Sequence, residues 1–394
     1  MYINTWYVAA RQSELSERPH AVRMLGRDFV LFRNAAGHVV CLSSVCPHRG
    51  ANLALGCCHS DGTLACPFHG WRFNADGACT AIPSNAVPTD IPARARVDSY
   101  PVIERHGLIW VMLGDDPDSA LPLYEMPEFD DASYRSVLYD DIWKANVHWT
   151  KMVNLDHVHL PIVHGTSFGG DNPVRPPDHQ VEQLVNGFHT QIHVQPARPK
   201  GAWQNVREAG RGVVSKLSYF VPGFTLRGDI EIGGAGSGTR IVFYETSTPV
   251  DDETTHMRWI FFRNFMTGPE NDAEHLKRNL KNVGEDKIMA EAMQPRRPTG
   301  HPHPRQMLVD REDRLMQAYW QAMQQQRERG FEIDRKRLRK CDEAGDYRVI
   351  ASPARRRSTG DGFVYDTVPT HPAIVAAQHL PQEGGAPAKR APGG

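Results

Sequence analysis

The chain has 394 residues, 45 Lys and Arg against 46 Asp and Glu, 40% hydrophobic residues and 9% aromatics; at roughly 150 residues per domain it holds two or three domains with room for a buried core. A net charge of −1 with interspersed signs gives no electrostatic case for nucleic-acid binding. No apolar run approaches the roughly 18–20 residues of a membrane span, and MYINTWYVAARQSEL lacks the basic start and apolar stretch of a secretory signal, so a cytoplasmic location is expected.

Residues 1–115 read as short β runs broken by turns, among them DFVLFRN at 28–34, HVVCLSS at 38–44 and LIWVML at 108–113. Close-spaced short strands predict a small all-β domain. The acidic, Pro-rich stretch that follows has no periodicity, and residues 116–135 are assigned as a linker. From 136 to 350 the pattern is mixed. A helix is expected over 143–160, then strands near 188–195, 214–221, 224–232, 239–248 and 255–265, then helices over 270–293 and 310–329. Strands followed by helices, without βαβ alternation, predict an α+β domain. Residues 351–394 carry Arg355-Arg356-Arg357 and scattered Pro, Gly and Ala, and are expected to be a disordered tail with a solvated charge run.

Seven cysteines are an odd, thinly spread count, which favours metal or redox work over a disulfide framework. Six lie between Cys41 and Cys79. Two of these belong to CPHRG at 46–50 and CPFHGW at 66–71. Each half offers one Cys and one His, Cys46 with His48 and Cys66 with His69, with 17 residues between the halves. Buried core cysteines with capping histidines are one reading, and a structural Cys₂His₂ zinc is another. Zinc sites of that ligand set usually pair like with like, whereas here each half is mixed. A [2Fe–2S] cluster with two thiolates on one iron and two imidazoles on the other explains the mixing, since each loop then gives one ligand to each iron. Cys57, Cys58 and Cys79 match neither half and are read as structural.

A second constellation lies at 151–165, KMVNLDHVHLPIVHG, with three histidines in eight residues. On an unbroken helix His157 and His164 would stand two turns (~10 Å) apart, too far for one ion. His159 and His164 would point roughly 140° apart, but Pro161 between them breaks the helix and lets His164 swing back. Asp156, three before His159, is its neighbour. Two histidines and one carboxylate make the facial triad of non-haem Fe(II) oxygenases; the bland reading is helix-face histidines with ordinary hydrogen bonds. The third ligand must come from elsewhere. Asp286 shares a helical face with Ala290 and Met293 beside the apolar stripe. Asp313, with Asp310, opens the next helix, where capping is reason enough for an acid. Asp286 is preferred.

These residues together resemble the oxygenase (α) components of Rieske non-haem iron oxygenases, over roughly residues 1–350, and in style the vanillate and dicamba O-demethylases and toluenesulfonate methyl-monooxygenase. WYVAA at 6–10 is similar to their opening segment, CPHRG and CPFHGW to their cluster loops, and DHVHLPIVHG to their Asp-x-x-His-x₄-His segment. RNF at 263–265, with EDKIMAEA placing Asp286 22 positions after Asn264, is similar to the stretch that supplies their ligand carboxylate. The resemblance implies a Rieske β domain followed by a helix-grip domain with a curved antiparallel sheet, one [2Fe–2S] cluster and one mononuclear Fe(II) per subunit, and a homotrimer. Asp156 would then be no ligand but a bridge from His159 to His69 of an adjacent subunit. NAD(P)H-derived electrons would come from a separate ferredoxin or reductase, since no dinucleotide-binding glycine fingerprint is visible. The implied reaction uses O₂ to hydroxylate or oxidatively demethylate a small aromatic or heteroaromatic compound, with cis-dihydroxylation and pure electron transfer as alternatives. Pocket residues are expected within 180–265. The chain departs from the family at the Asn usually three or four residues before the Asp, where it has Val153 and Met152, with Asn154 only two before.

Overall fold

A computed structural model describes residues 1–87, 90–167, 179–194, 213–232, 236–300, 308, 312–357 and 362–374. The expected strands form, and they fall into four sheets. Three belong to the N-terminal part. One pairs Thr5–Arg11 with Leu108–Leu113 and Val102–Arg105; one orders His20–Met24, Arg27–Arg33, Val39–Ser43 and Ser99–Tyr100; the smallest carries Cys57–Cys58, Leu64–Ala65, Arg72–Phe73 and Cys79–Ala81. The second sheet is a wall between two cores, which is why its strands are apolar on both faces. Phe29, Leu31, Val39 and Cys41 face a core shared with the C-terminal helices. Val30, Phe32, Val40 and Leu42 face the core that contains Cys46 and Cys66.

The remaining sheet has seven antiparallel strands in the order Arg135–Trp143, Thr255–Arg263, Arg240–Pro249, Thr225–Glu231, Val213–Phe220, Gly187–Val194, Val181–Leu184. Its alternation is used on both sides. Val242, Tyr244, Ile260 and Phe262 pack on Val8, Trp110, Tyr124 and Met126 of the N-terminal part. Met257, Trp259 and Phe261 pack on the long helix Asp272–Ala292 through Val283 and Ala290. The apolar run at 107–114 is thereby explained: Leu108 and Trp110 serve one core while Ile109, Val111 and Leu113 serve another. No helix among the described residues is long and apolar enough to cross a membrane.

Four expectations need correction. The helix expected over 143–160 is Val147–Asn154 only, because Asp156 accepts the Val158 N–H at 2.8 Å and turns the chain out of the helix. Pro161 does not break a helix but lies in the first turn of the short helix Leu160–Val163, where its missing N–H costs nothing. The stretch assigned as a linker is tied down: Tyr124, Met126 and Glu128 are buried, and Glu128 accepts from Arg227 and Tyr244. The tail is the fourth. Residues 352–357 and 363–365 pack on the N-terminal part and 367–374 on the C-terminal part, and Arg355 of the basic triplet is no solvated charge, since it forks onto buried Asp98 at 2.7 and 2.8 Å. The rest of the proposed tail, and Asp310, lie outside the described residues.

Candidate metal centres

The two Cys-Pro loops repeat one backbone pattern. The Cys46 N–H donates to the Ala51 carbonyl (2.9 Å) and the Gly50 N–H to the Cys46 carbonyl (2.9 Å); the Cys66 N–H donates to Trp71 (2.8 Å) and the Gly70 N–H to Cys66 (3.0 Å). Gly50 and Gly70 close these turns at φ of 72° and 70°, a region that side chains resist. The histidine stands two residues after the cysteine in one loop and three after it in the other. The His48 and His69 rings lie 4.5 Å apart between centroids, and His48 stacks on Trp71 at 4.7 Å. The buried thiols face one another, and burial together with Cys66 pushes the Cys46 thiol up to about 12. The mixed halves thus become a thiol pair and an imidazole pair, the division a cluster with two thiolates on one iron and two imidazoles on the other requires. The buried Nδ1 of His48 has no hydrogen-bond partner, as expected of a nitrogen reserved for a metal. The donor set fits the group. Of the cysteines read as structural, Cys58 and Cys79 join the core beside the loops, whereas Cys57 is exposed, 4.0 Å from His59.

The second constellation assembles where the short helix Leu160–Val163 meets the long helix Asp272–Ala292. Nε2 of His159 and Nε2 of His164 are 3.2 Å apart, and Oδ1 of Asp286 lies 3.5 Å from the first and 3.1 Å from the second. Metal–ligand bonds of about 2.1 Å at right angles separate neighbouring donors by about 3 Å, so the triangle fits one ion on one face. Among the described residues these three side chains bring their donor atoms within 4.8 Å of one another, as one metal ion requires. Asp286 reaches it because the helix stripe that buries Val283 and Ala290 carries it inward. Asp313 stands at the N-cap of Arg314–Glu328 and is no member of the group.

Charge at the site follows from this packing. Burial works against ionised Asp286, but His159 and His164 outweigh it and hold the carboxyl below the usual range. Burial also works against protonated His159, yet Asp156 and Asp286 raise it to about 9. Asp156 stands behind His159, Oδ2 to Nδ1 at 3.7 Å, with its side chain 31% exposed. His157 turns away and meets His179 edge-on, centroids 5.4 Å apart.

Two features escaped the sequence reading. Glu285 accepts from Nδ1 of His164 at 2.7 Å and from Ser167 at 2.8 Å. Directly before Asp286, it has no spacing signal of its own. Lys151 and Asn154, one turn apart on Val147–Asn154, both grip buried Glu245 of the sheet. Asn154 therefore anchors the helix that leads into the site, the use this chain makes of its displaced Asn. The expected pocket lining within 180–265 lies partly outside the described residues.

The family model of the Rieske [2Fe-2S] domain matches residues 5–101, and that of the vanillate O-demethylase oxygenase C-terminal domain matches 154–329. A putative toluene-4-sulfonate monooxygenase system iron-sulfur subunit of Comamonas testosteroni is 36% identical over 184 residues, 43% of this chain and 48% of the relative. The match to aminopyrrolnitrin oxygenase of Pseudomonas fluorescens is 39% identical over 32% of this chain and 35% of that protein. The chain thus spans about half or less of these two. Methylxanthine N1-demethylase of Pseudomonas putida is 27% identical over 74% of this chain and 81% of its own. Among solved structures, that demethylase with caffeine superposes with a TM-score of 0.70 at 25% identity, over 82% of this chain and 90% of that one. Dicamba monooxygenase bound to dicamba shares the fold at a TM-score of 0.63 and 22% identity, over 86% and 98%. A Rieske domain followed by an oxygenase C-terminal domain, matched together over well over half of the sequence, shows that this chain belongs to the oxygenase components of the Rieske non-haem iron oxygenases.

Proposed function

We propose that the protein is the terminal oxygenase of a multicomponent system that hydroxylates or oxidatively demethylates a small aromatic or heteroaromatic compound. The observation that supports this most is the coexistence of two sorted donor sets, a thiol pair facing an imidazole pair and a His-His-Asp triangle, on one chain. When bound, the cluster and Fe(II) supply one-electron transfer and O₂ activation. A methoxy or N-methyl carbon hydroxylated in this way collapses with loss of formaldehyde.

In this reading Cys46 and Cys66 bind as thiolates and His48 and His69 as neutral imidazoles. His159, His164 and Asp286 would hold the mononuclear Fe(II). Glu285 fixes the His164 tautomer by accepting from Nδ1, so that Nε2 is the ligand atom. Asp156 holds a proton link between His159 and His69 of a neighbouring subunit in a homotrimer. Support for that arrangement is the apolar exposure at both ends of the link: Ile162 and Ile288 beside the triangle, Phe68 beside His69. A ferredoxin or NAD(P)H-dependent reductase is the proposed electron donor, and free cysteines throughout agree with a reducing cytoplasm.

The demethylating reading is favoured over cis-dihydroxylation by the length of the match to methylxanthine N1-demethylase. The test is anaerobic preparation of the full chain, iron and sulfide analysis, and O₂ uptake with a surrogate reductase across methoxylated, N-methylated and unsubstituted aromatics. About three irons and two sulfides per chain, with formaldehyde released from a methylated compound, are expected. A cis-diol as sole product would establish the dioxygenase alternative, and cluster reduction without substrate-dependent O₂ uptake would leave an electron carrier.

A further inference from the structure

The two cluster loops share their internal hydrogen bonds but are covered differently. A Cβ placed on Gly70 would meet Cγ of Pro83 at 3.1 Å, so the second loop is roofed by an apolar ring. A Cβ placed on Gly50 would meet the Tyr365 hydroxyl at 3.6 Å, and that hydroxyl donates to the Cys46 carbonyl at 3.3 Å. The roof of the first loop therefore comes from 319 residues away in sequence, within the stretch expected to be disordered.

This roof is held at several points. Asp98, 2% exposed, accepts from the N–H and hydroxyl of Ser352 at 3.2 and 2.7 Å as well as from Arg355. Arg355 also donates to the Tyr365 carbonyl at 2.9 Å, which holds the backbone that carries the phenol. Phe363 lies between two guanidinium groups, Arg355 at 4.1 Å and Arg96 at 5.0 Å from its ring. Beyond Tyr365 the chain returns to the C-terminal helices: Thr367 bridges Val349, Thr370 bridges Ile333, and the Ile374 N–H donates to Glu328. The Asp98 carbonyl in turn accepts from Ser43, three residues before Cys46.

We infer that residues 352–357 and 362–374 act as a strap in which Tyr365 is a positioning residue for the Cys46 loop, setting the reduction potential of the cluster and its resistance to loss. The inference rests on Cys46 being a cluster ligand and does not depend on the substrate. The O–H bond of Tyr365 presents its positive end to the ligand loop, which favours the reduced, more negative cluster. Removing it lowers the potential and frees the Cys46 carbonyl to move.

The test compares the full chain with Tyr365→Phe, which removes one oxygen and keeps the ring, and with the double variant Ser352→Ala, Arg355→Gln, which releases the strap. Expected are a more negative midpoint in redox titration of the [2Fe–2S] absorption for both variants, and several-fold faster bleaching by a chelator. In the double variant, cleavage within 352–374 under limited proteolysis is also faster. Mononuclear iron content stays at the wild-type value. A Tyr365→Phe midpoint that is unchanged or more positive overturns the inference, even if the double variant shifts. A wild-type chain with no Rieske signal after dithionite instead removes the cluster reading on which it rests.

Discussion

Glu285 and His164 are joined at 2.7 Å across the back of the metal triangle, whereas Asp156 approaches the corresponding nitrogen of His159 only to 3.7 Å. The two histidines are therefore backed unequally, one locked and one loosely held. Replacing Glu285 by Gln keeps the shape but removes the charge that makes His164 a better donor. Affinity for Fe(II) or Co(II) should fall about 10–100-fold, the usual cost of losing such a partner. Metal titration of chelated protein measures this, and wild-type affinity in Glu285→Gln would show that the contact does not tune the ligand.

Ligand removal separates the two centres. His159→Ala should lose the mononuclear iron while the iron–sulfur absorption stays, and turnover should fall to background. Asp286→Ala should do the same, and Asp313→Ala should leave iron content unchanged, because Asp313 stands at a helix start away from the triangle. Iron analysis beside the visible spectrum checks all three. Iron lost from Asp313→Ala and retained by Asp286→Ala would reverse the assignment.

The cluster loops were legible in the sequence because each ligand pair lies within three or four residues and the closing glycines mark the turns. The approach of His159 to His164 was expected from the sequence, but through a device other than the one the chain uses. The chain turns at Asp156 by a side chain capping its own backbone, a local competition that a helical-period reading overlooks, and Pro161 starts a helix instead of breaking one. Asp286 was reached from helix phase together with its spacing from Asn264, which the family resemblance supplied. Glu285 could not be reached in this way, since its role depends on how two distant helices meet. The packing of 352–357 and 362–374 was hidden for a similar reason: the Pro, Gly and Arg content of this stretch looks disordered, but its stability comes from partners such as Asp98 and Arg96, more than 250 positions away.

Asp156 offers a kinetic test. Asp156→Asn keeps the volume and the acceptor oxygen that holds the Val158 N–H, so both metal centres should remain loaded. What it loses is the negative charge facing His159. Reoxidation of the reduced cluster in a single turnover should slow by one or more orders of magnitude with iron content intact. An unchanged rate would count against a bridging role.

The pH dependence of the chelated protein follows from His159. Its pKa is raised from 6.5 to about 9, so the pairing stabilises the fold fully below about pH 6.5 and is lost as pH rises through 9. Asp156 and Asp286 are shifted the other way, below 3.8, so their contribution is present above that value and disappears in acid. Thermal melting of metal-free protein should therefore fall between pH 6.5 and 9, and His159→Gln should flatten that slope. Metal must displace the proton, so affinity should weaken by up to about tenfold per unit as pH drops below 9, with proton release on binding. A metal-free melting temperature that rises over this range would show that His159 is not protonated there.

The joint between the two parts of the chain makes the last prediction. The strand Thr5–Arg11 slips register between Val8 and Ala10, and this bulge turns consecutive carbonyls toward the seven-stranded sheet. Arg258 of that sheet donates to Val8 at 3.1 Å and to Ala9 at 3.0 Å, and Thr248 donates to Val8 at 2.8 Å. Arg258 is 5% exposed, and burial lowers its pKa to about 10, still charged at neutral pH. Arg258→Met fills the space but leaves the Ala9 carbonyl without this donor, at a cost on the order of 1–3 kcal/mol. Arg258→Lys keeps a charge yet cannot fork to both carbonyls, so it should fall between Met and wild type. Adding Thr248→Val to Arg258→Met should cost more than the two changes separately, because Val8 then loses both donors. Denaturant unfolding measures the series, with iron–sulfur absorption as the control for an intact cluster. If Arg258→Met stays within about 0.5 kcal/mol of wild type, the bulge is not held by this arginine.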